Sequence, residues 1–299
     1  MEGFVPDRFD PRIQDLVREI KTDKDIKAAH ECLDRTVQIN QLRLLKAFQA
    51  TRISDIDFTT TTGYGYDDGG RDKLEQLFAA VFGAEAALVR PQIVSGTHAL
   101  ALCLYGTLFP GDELVAVTGR PYDTLAGIIC GDGKRRAGFL VDHGIIYKEV
   151  PWPKNTALNL PAIKASIGPR TRAVLIQRSR GYSLRPSLSL NEIKQLIQLI
   201  KSVNESVVVI VDNCYGEFVE HEEPPVVGAD LTAGSLIKNP GGGLAPCGGY
   251  VVGKKELVKL AASRLIAPDL GIACGPNLGL NRLFYQGLYM APLIVGEAL

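Results

Sequence analysis

The stretch Ser206-Val207-Val208-Val209-Ile210-Val211-Asp212 decides how the chain is read. Its apolar run does not alternate with polar residues, the pattern of a strand covered on both faces, as in parallel sheets. Upstream, a helix from about Leu190 to Val203 separates it from the strand Arg172-Ala173-Val174-Leu175-Ile176-Gln177. Earlier still come a strand over 113–117, a helix opened by Ser95-Gly96 and running through Leu108, and a short strand over 86–89. An amphipathic helix over 72–82 is closed by Gly83, a residue suited to the position after a helix. Downstream, Tyr250-Val251-Val252 reads as strand, and a helix follows Gly253 to about Leu265. This alternation predicts an α/β fold with a mostly parallel sheet and helices on both faces. Residues 11–50 read as helix, with Ile13, Leu16, Val17 and Ile20 on one face, which suits a surface arm or lid. The following run, 59–70, is rich in Thr, Gly and Tyr and reads as a loop at the surface or in a site.

The 299 residues carry 33 Lys+Arg and 33 Asp+Glu, and this zero net charge argues against a nucleic-acid partner. No apolar run approaches the length of a membrane helix, and the first seven residues lack the features of a secretory signal, so a cytoplasmic protein is expected. The six cysteines, at 32, 103, 130, 214, 247 and 274, form no CxxC pair, which predicts reduced thiols, no disulfide framework and no metal. Those at 103, 130, 214 and 274 sit among apolar or small residues and are expected to be buried. The last residues, 289–299, stop inside an apolar helical pattern, so a C-terminal portion is expected to be missing.

Three places carry chemistry. Lys238 lies at the end of a strand of small and hydroxyl residues and precedes Asn239-Pro240-Gly241-Gly242-Gly243, glycines that leave the backbone free to approach a ligand. Lysines in low-polarity pockets form Schiff bases, although a lysine exposed before a turn fits the spacing equally well. Asp212 closes the apolar strand, where an acid is costly to bury unless it meets a cation such as a protonated pyridine nitrogen; capping of the next turn is the plainer alternative. Ser95-Gly96-Thr97 opens a helix with free N–H groups and hydroxyls that suit a phosphate, or is an ordinary N-cap. His98 is more simply structural. Tyr122 lies just past a strand end, where ligands gather in open α/β sheets, and could stack on a flat ring or cap the core. Competing motifs fail on context. Gly248–Lys255 nearly writes a P-loop but lacks the final Ser/Thr, and neither a G-x-G-x-x-G after a first strand nor a G-x-S-x-G elbow is present.

In their order, Gly63-Tyr64-Gly65-Tyr66, the helix leading to Gly83, Ser95-Gly96-Thr97, Tyr122, Asp212-Asn213-Cys214-Tyr215, Gly228-Ala229-Asp230 and Ser235-Leu236-Ile237-Lys238 resemble pyridoxal-phosphate enzymes of cysteine and methionine metabolism. Tyr64–Arg71, Gln177–Tyr182 and Gln286–Pro292 are similar to stretches of the methionine gamma-lyase-like branch often labelled aluminium resistance protein. The resemblance implies a fold-type-I, PLP-dependent transferase-like architecture. Its expected division is an N-terminal helical arm (1–58), a large cofactor-binding domain (59–266), and a linker with the start of a truncated C-terminal small domain (267–299).

It further implies pyridoxal 5'-phosphate as cofactor and a carbon–sulfur lyase acting on an amino acid. Lys238 would carry the cofactor and act as base, Asp212 would face the pyridine nitrogen, and Tyr122 would stack on the ring. Ser95, Gly96, Thr97 and Ser235 would hold the phosphate. Tyr64 would reach a neighbouring subunit's cofactor in a homodimer or homotetramer with shared sites. The alternatives are a cofactor-binding stress-response protein with little turnover, or an aminotransferase. The chain departs from the family pattern at Tyr66, where an arginine is usual and for which Arg71 is a candidate replacement, and at Ile237, where threonine is usual.

Overall fold

The computed structural model describes residues 9–131, 138–153 and 158–299. The chain enters through helices α1 (Pro11–Thr22) and α2 (Lys24–Thr51), then α3 (Gly69–Phe82) and strand β1 (Ala86–Arg90). There follow α4 (Gly96–Thr107), β2 (Glu113–Ala116), α5 (Asp123–Cys130), β3 (Ile146–Glu149), α6 (Leu160–Ser166) and β4 (Thr171–Gln177). The last part comprises α7 (Leu190–Val203), β5 (Val208–Asp212), β6 (Leu231–Ser235), β7 (Gly249–Gly253), α8 (Lys255–Leu265) and α9 (Asn281–Ala298). The segment read as one helix over 11–50 is broken at Asp23. Its backbone is extended and its side chain accepts from the N–H groups of Asp25 and Ile26, so it ends α1 and caps α2.

Among the described residues, seven strands lie in the order β1-β7-β6-β5-β4-β2-β3. Only β7 runs against its neighbours β1 and β6; the other pairings are parallel. Alternate residues serve opposite faces, as strand geometry requires. In β5, Val208 and Ile210 join the core under α4 and α8, while Val209 and Val211 join the core under α7. Burial on both faces is why this strand lacks alternation. Helix α7 starts at a capping box in which Ser189 and Glu192 satisfy each other's backbone N–H groups. Among the described residues, no helix is long and apolar enough to cross a membrane.

A third core forms where α2, α3 and α9 meet over Val89, Tyr250 and Val252. Phe284, Tyr285 and Leu288 of α9 are buried there, and the Tyr285 hydroxyl donates to the carbonyl of Gly70 (2.8 Å). In this chain, residues 281–298 are therefore packed onto the body formed by α2 and α3. Two of the glycines after Lys238 also serve packing. A Cβ on Gly242 would stand 2.2 Å from the carbonyl oxygen of Gly287, and one on Gly287 would stand 2.2 Å from that of Gly241. Gly241 and Gly242 admit the backbone of α9, whereas a Cβ on Gly243 would meet nothing within 4 Å. The burial expected of four cysteines holds for Cys103 and Cys214, whereas Cys130 and Cys274 are half-buried because one ends a short helix and the other lies in a surface loop.

Candidate active site

The C-terminal ends of β5 and β6 and the N-terminus of α4 converge. Asp212, the last residue of β5, is 1% exposed, and its Oδ1 accepts from the Cys214 backbone N–H (3.1 Å). The capping role is thus realised, but the acid also lies beside the charge of Lys238. Burial raises the Asp212 pKa, and the hydrogen bonds from the Cys214 backbone and side chain, with the charges of Lys238 and Arg185, offset only part of that rise. No salt bridge relieves Asp212 among the described residues. A buried carboxyl with no ion pair is the environment a ligand cation would complete.

Lys238 follows the end of β6 and precedes a short 3₁₀ turn, Asn239–Gly241. It is half-buried, with its Nζ 4.3 Å from the centroid of the Tyr215 ring. Burial works against the ammonium, but its hydrogen bond with the Cys214 side chain and the nearby Asp212 outweigh that, holding the amine above its ordinary value. The Cys214 thiol is driven upward by burial, then by Asp212 and Glu217. Lysine, thiol and carboxyl form one contiguous group.

Ser95 caps α4, its Oγ accepting from the His98 N–H (3.0 Å). Its neighbour Gly96 is buried so closely that a Cβ would lie 2.9 Å from Cys214 Sγ and 3.5 Å from the Ser235 Cβ. The start of α4 therefore sits directly on Cys214 and on Ser235, which is buried and donates weakly to the Gly248 carbonyl (3.4 Å). Thr97 Oγ1 is 3.0 Å from the Tyr122 hydroxyl. Tyr122 is half-buried at the start of α5, and its backbone N–H donates to Gln177 Oε1 (3.1 Å), the side chain beside Asp212 in the sheet register. Its phenol is pushed well up by burial and then by Asp212. His98 closes its own turn, Nδ1 accepting from the Val94 N–H, and its pKa is lowered by burial.

The structure thus gathers Ser95, Gly96, Thr97, Tyr122, Asp212, Ser235 and Lys238 into one region. Tyr64 stands apart. It is 74% exposed, its ring 5.7 Å from that of Tyr66, and its backbone carbonyl is held by Gly275. Arg71, the candidate replacement, is buried and committed: Nη1 donates to the carbonyls of Gly65 and Gly275, and Nε to Asp72. It ties the Tyr64 loop to the 272–277 segment and leaves little of its fork for a ligand.

Spacing gave no sign of several supporting residues. Arg178, 3% exposed, clamps the loop after Asp212 through Asn213 Oδ1 and the Gly216 carbonyl (both 2.8 Å). Glu217 is fully buried, its Oε1 accepting from the Tyr250 hydroxyl (2.7 Å), and burial raises its pKa to about 8. Its backbone carbonyl accepts from Asn239 Nδ2 (2.9 Å), tying this loop to the turn after Lys238.

The sequence pattern of the family described as Methionine gamma-lyase matches residues 14–299. A Listeria monocytogenes protein provisionally described as a cystathionine beta-lyase involved in aluminum resistance is 48% identical, with a TM-score of 0.92 over 95% of this chain and 71% of its own. A carbon-sulfur lyase involved in aluminum resistance from Clostridium novyi NT is 43% identical, with a TM-score of 0.92 over 97% and 69%. YnbB of Bacillus subtilis, an uncharacterized protein, is 48% identical over 280 residues, 94% of this chain and 66% of its own length. The chain spans 66% and 58% of two of the curated relatives that it matches. The pyridoxal-5'-phosphate-dependent protein YhfS of Escherichia coli shares the fold at 18% identity and a TM-score of 0.64.

Proposed function

The chain belongs to the methionine gamma-lyase family, and on that premise we propose that it is a pyridoxal 5'-phosphate-dependent lyase of the cytoplasm that cleaves a carbon–sulfur bond in an amino acid of cysteine or methionine type. The observation that carries the reading is the convergence of a buried, ion-pair-free Asp212 with Lys238 beneath the N-terminus of α4. These residues suit the cofactor. Asp212 offers an acid to a ring nitrogen. Gly96, Thr97 and the Ser95 and Ser235 hydroxyls offer donors to a phosphate at the positive end of α4.

When bound, pyridoxal phosphate supplies a protonated ring that accepts the electrons left behind on the substrate. The chain's own residues do the rest. Asp212, ionised once a cation faces it, holds the ring proton in place. Tyr122, tethered by Thr97 and Gln177, would help to hold the ring. Lys238 Nζ takes the proton from the substrate α-carbon as general base and can return it to a leaving sulfur. The ordinary pKa of lysine is too high for a base at neutral pH, so Lys238 must lose the contacts that favour its ammonium.

The division into an arm (1–58), a cofactor-binding body (59–266) and the beginning of a small domain (267–299) belongs to the same proposal. So does a homo-oligomer in which the exposed Tyr64 meets a second subunit's site. The test is borohydride reduction of the cofactor-treated protein followed by mass spectrometry, with thiol, ammonia and keto-acid release measured over a panel of sulfur amino acids. An adduct on Lys238 with product release is expected. An adduct without product from any substrate leaves a binding protein, conversion of the cofactor to its amino form indicates an aminotransferase, and no adduct at Lys238 overturns the reading.

A further inference from the structure

The loop after β5 supplies most of the surroundings of the Lys238 amine. Beside it lie the titratable groups of Asp212, Cys214, Tyr215 and Glu217, and all but Asp212 belong to residues 213–220. Local preference does not give that loop its shape. Tyr215 (φ +68°) and Phe218 (φ +63°) both occupy the left-handed region, where a residue with a Cβ persists only if its surroundings over-determine it. Phe218 shows how this is done. Its N–H donates to Glu223 Oε1 (3.0 Å) and its carbonyl accepts from Asn40 Nδ2 (2.9 Å), so side chains hold both backbone groups of a strained residue. Glu223 is fully buried; its Oε2 accepts from Asn213 Nδ2 (3.0 Å), and its Oε1 also accepts from Arg43 Nη2 (3.2 Å). Asn213, next to Asp212, is gripped at both ends of its amide, because Arg178 donates to its Oδ1. Asn40 donates a second bond to the Glu220 carbonyl (3.1 Å), and the Arg43 guanidinium lies 5.6 Å from the centre of the Phe218 ring.

Asn40 and Arg43 come from α2, a helix remote in sequence from this loop. Asn40, Leu44 and Ala47 form the buried stripe of α2. An amide at the first of these positions is costly, since its Oδ1 has no partner among the described residues. It supplies what an apolar residue could not, the two donors that hold the loop carbonyls. We propose that Asn40 and, through Glu223, Arg43 are positioning residues for the Lys238 amine, holding the 213–220 loop in the strained form that sets the Tyr215 ring 4.3 Å from Nζ. The inference deepens the reading of Lys238 as the reactive lysine and rests on it. With the grip of α2 released, Phe218 relaxes out of the left-handed region, the loop shifts, and the Tyr215 ring leaves the amine.

The test follows acylation of Lys238 against pH by mass spectrometry in the full chain without cofactor, with urea midpoints recorded for the same variants. Asn40→Leu keeps the volume and removes both donors; Arg43→Met, at a half-buried position, serves if the first variant does not fold. Either substitution should lower the pH midpoint of Lys238 labelling by the loss of the ring's preference for the ammonium, roughly two- to fivefold in the acid dissociation constant. Arg43→Lys should keep most of the original midpoint, because it keeps a cation on Glu223. A general loosening of the fold would move the midpoint in any background, whereas a grip that acts through Tyr215 adds nothing once the ring is gone. Asn40→Leu and Arg43→Met should therefore leave the midpoint of the Tyr215→Leu chain where it is. A midpoint unmoved by both substitutions, or a shift of the same size in Tyr215→Leu, overturns the inference. Borohydride trapping with pyridoxal phosphate in the same samples separates the two readings. An adduct on Lys238 with an unmoved midpoint leaves the cofactor reading standing and overturns the positioning role; a shift that vanishes in Tyr215→Leu, without an adduct, does the reverse.

Discussion

Lys238 holds its amine 4.3 Å from the centre of the Tyr215 ring, a cation–π contact at the mouth of the site. Tyr215 achieves this at a cost, since its φ of +68° lies in the left-handed region that a residue with a Cβ seldom adopts. The ring favours the ammonium, so it opposes the loss of the proton that makes Lys238 reactive. Tyr215→Leu should lower the Lys238 pKa by under about one unit, equivalent to ~0.5–1 kcal/mol, and Tyr215→Phe should leave it unchanged. The pH dependence of Lys238 acylation in the cofactor-free chain, read by mass spectrometry, checks this. Equal profiles for the Leu and Phe variants would remove the ring from the account.

Gly96 and Cys214 should behave as a coupled pair. A methyl at position 96 meets the Cys214 sulfur at 2.9 Å. Gly96→Ala should therefore cost roughly 1–3 kcal/mol by overpacking, and Cys214→Ala in the same chain should recover much of it. A double-mutant cycle by urea denaturation measures the coupling. Cofactor affinity should fall in Gly96→Ala by the same route.

A methyl at position 287 is a harsher change. It would meet the Gly241 backbone 2.2 Å away, and no side chain can move aside. Gly287→Ala should destabilise by about 3 kcal/mol or more and displace the turn after Lys238. Denaturant midpoints together with Lys238 labelling test both consequences.

Stability should fall as pH rises through neutrality. Glu217 has its pKa raised to about 8 in the fold against an ordinary 4.5. Between those values the folded chain holds a proton that the unfolded chain has released, so each pH unit costs at most about 1.4 kcal/mol from this group. Asp212 is raised too and acts in the same direction. Glu217→Gln, which keeps an acceptor for Tyr250, should flatten the pH dependence of the unfolding midpoint. A slope unaltered by the substitution would mean that Glu217 is ionised in the fold.

Asp212→Asn separates stability from function. In the cofactor-free chain the amide removes a buried charge without a salt bridge, so the melting temperature should hold or rise. The additional rise produced by pyridoxal phosphate in the unaltered protein should shrink, because a neutral amide offers the ring proton no charge. A cofactor-induced shift of full size in Asp212→Asn would argue against the role proposed for this acid.

Much of this molecule is written locally. The unalternating run before Asp212, the cap at Ser95, the hydroxyl-rich strand before Lys238 and the capping box at Ser189 depend on neighbours within a few residues, so the α/β alternation and the main chemical residues could be read from the chain. Short elements such as α5, β3 and α6 escaped that reading because few turns or pairs carry too weak a periodic signal. What the tertiary structure alone decided concerns residues far apart in the chain. It placed β7 antiparallel between β1 and β6, seated α9 on the glycines after Lys238, and laid Cys214 between lysine and acid. The reason is that local geometry chooses a helix or a strand, whereas who meets whom across the sheet depends on packing that no single stretch of sequence contains.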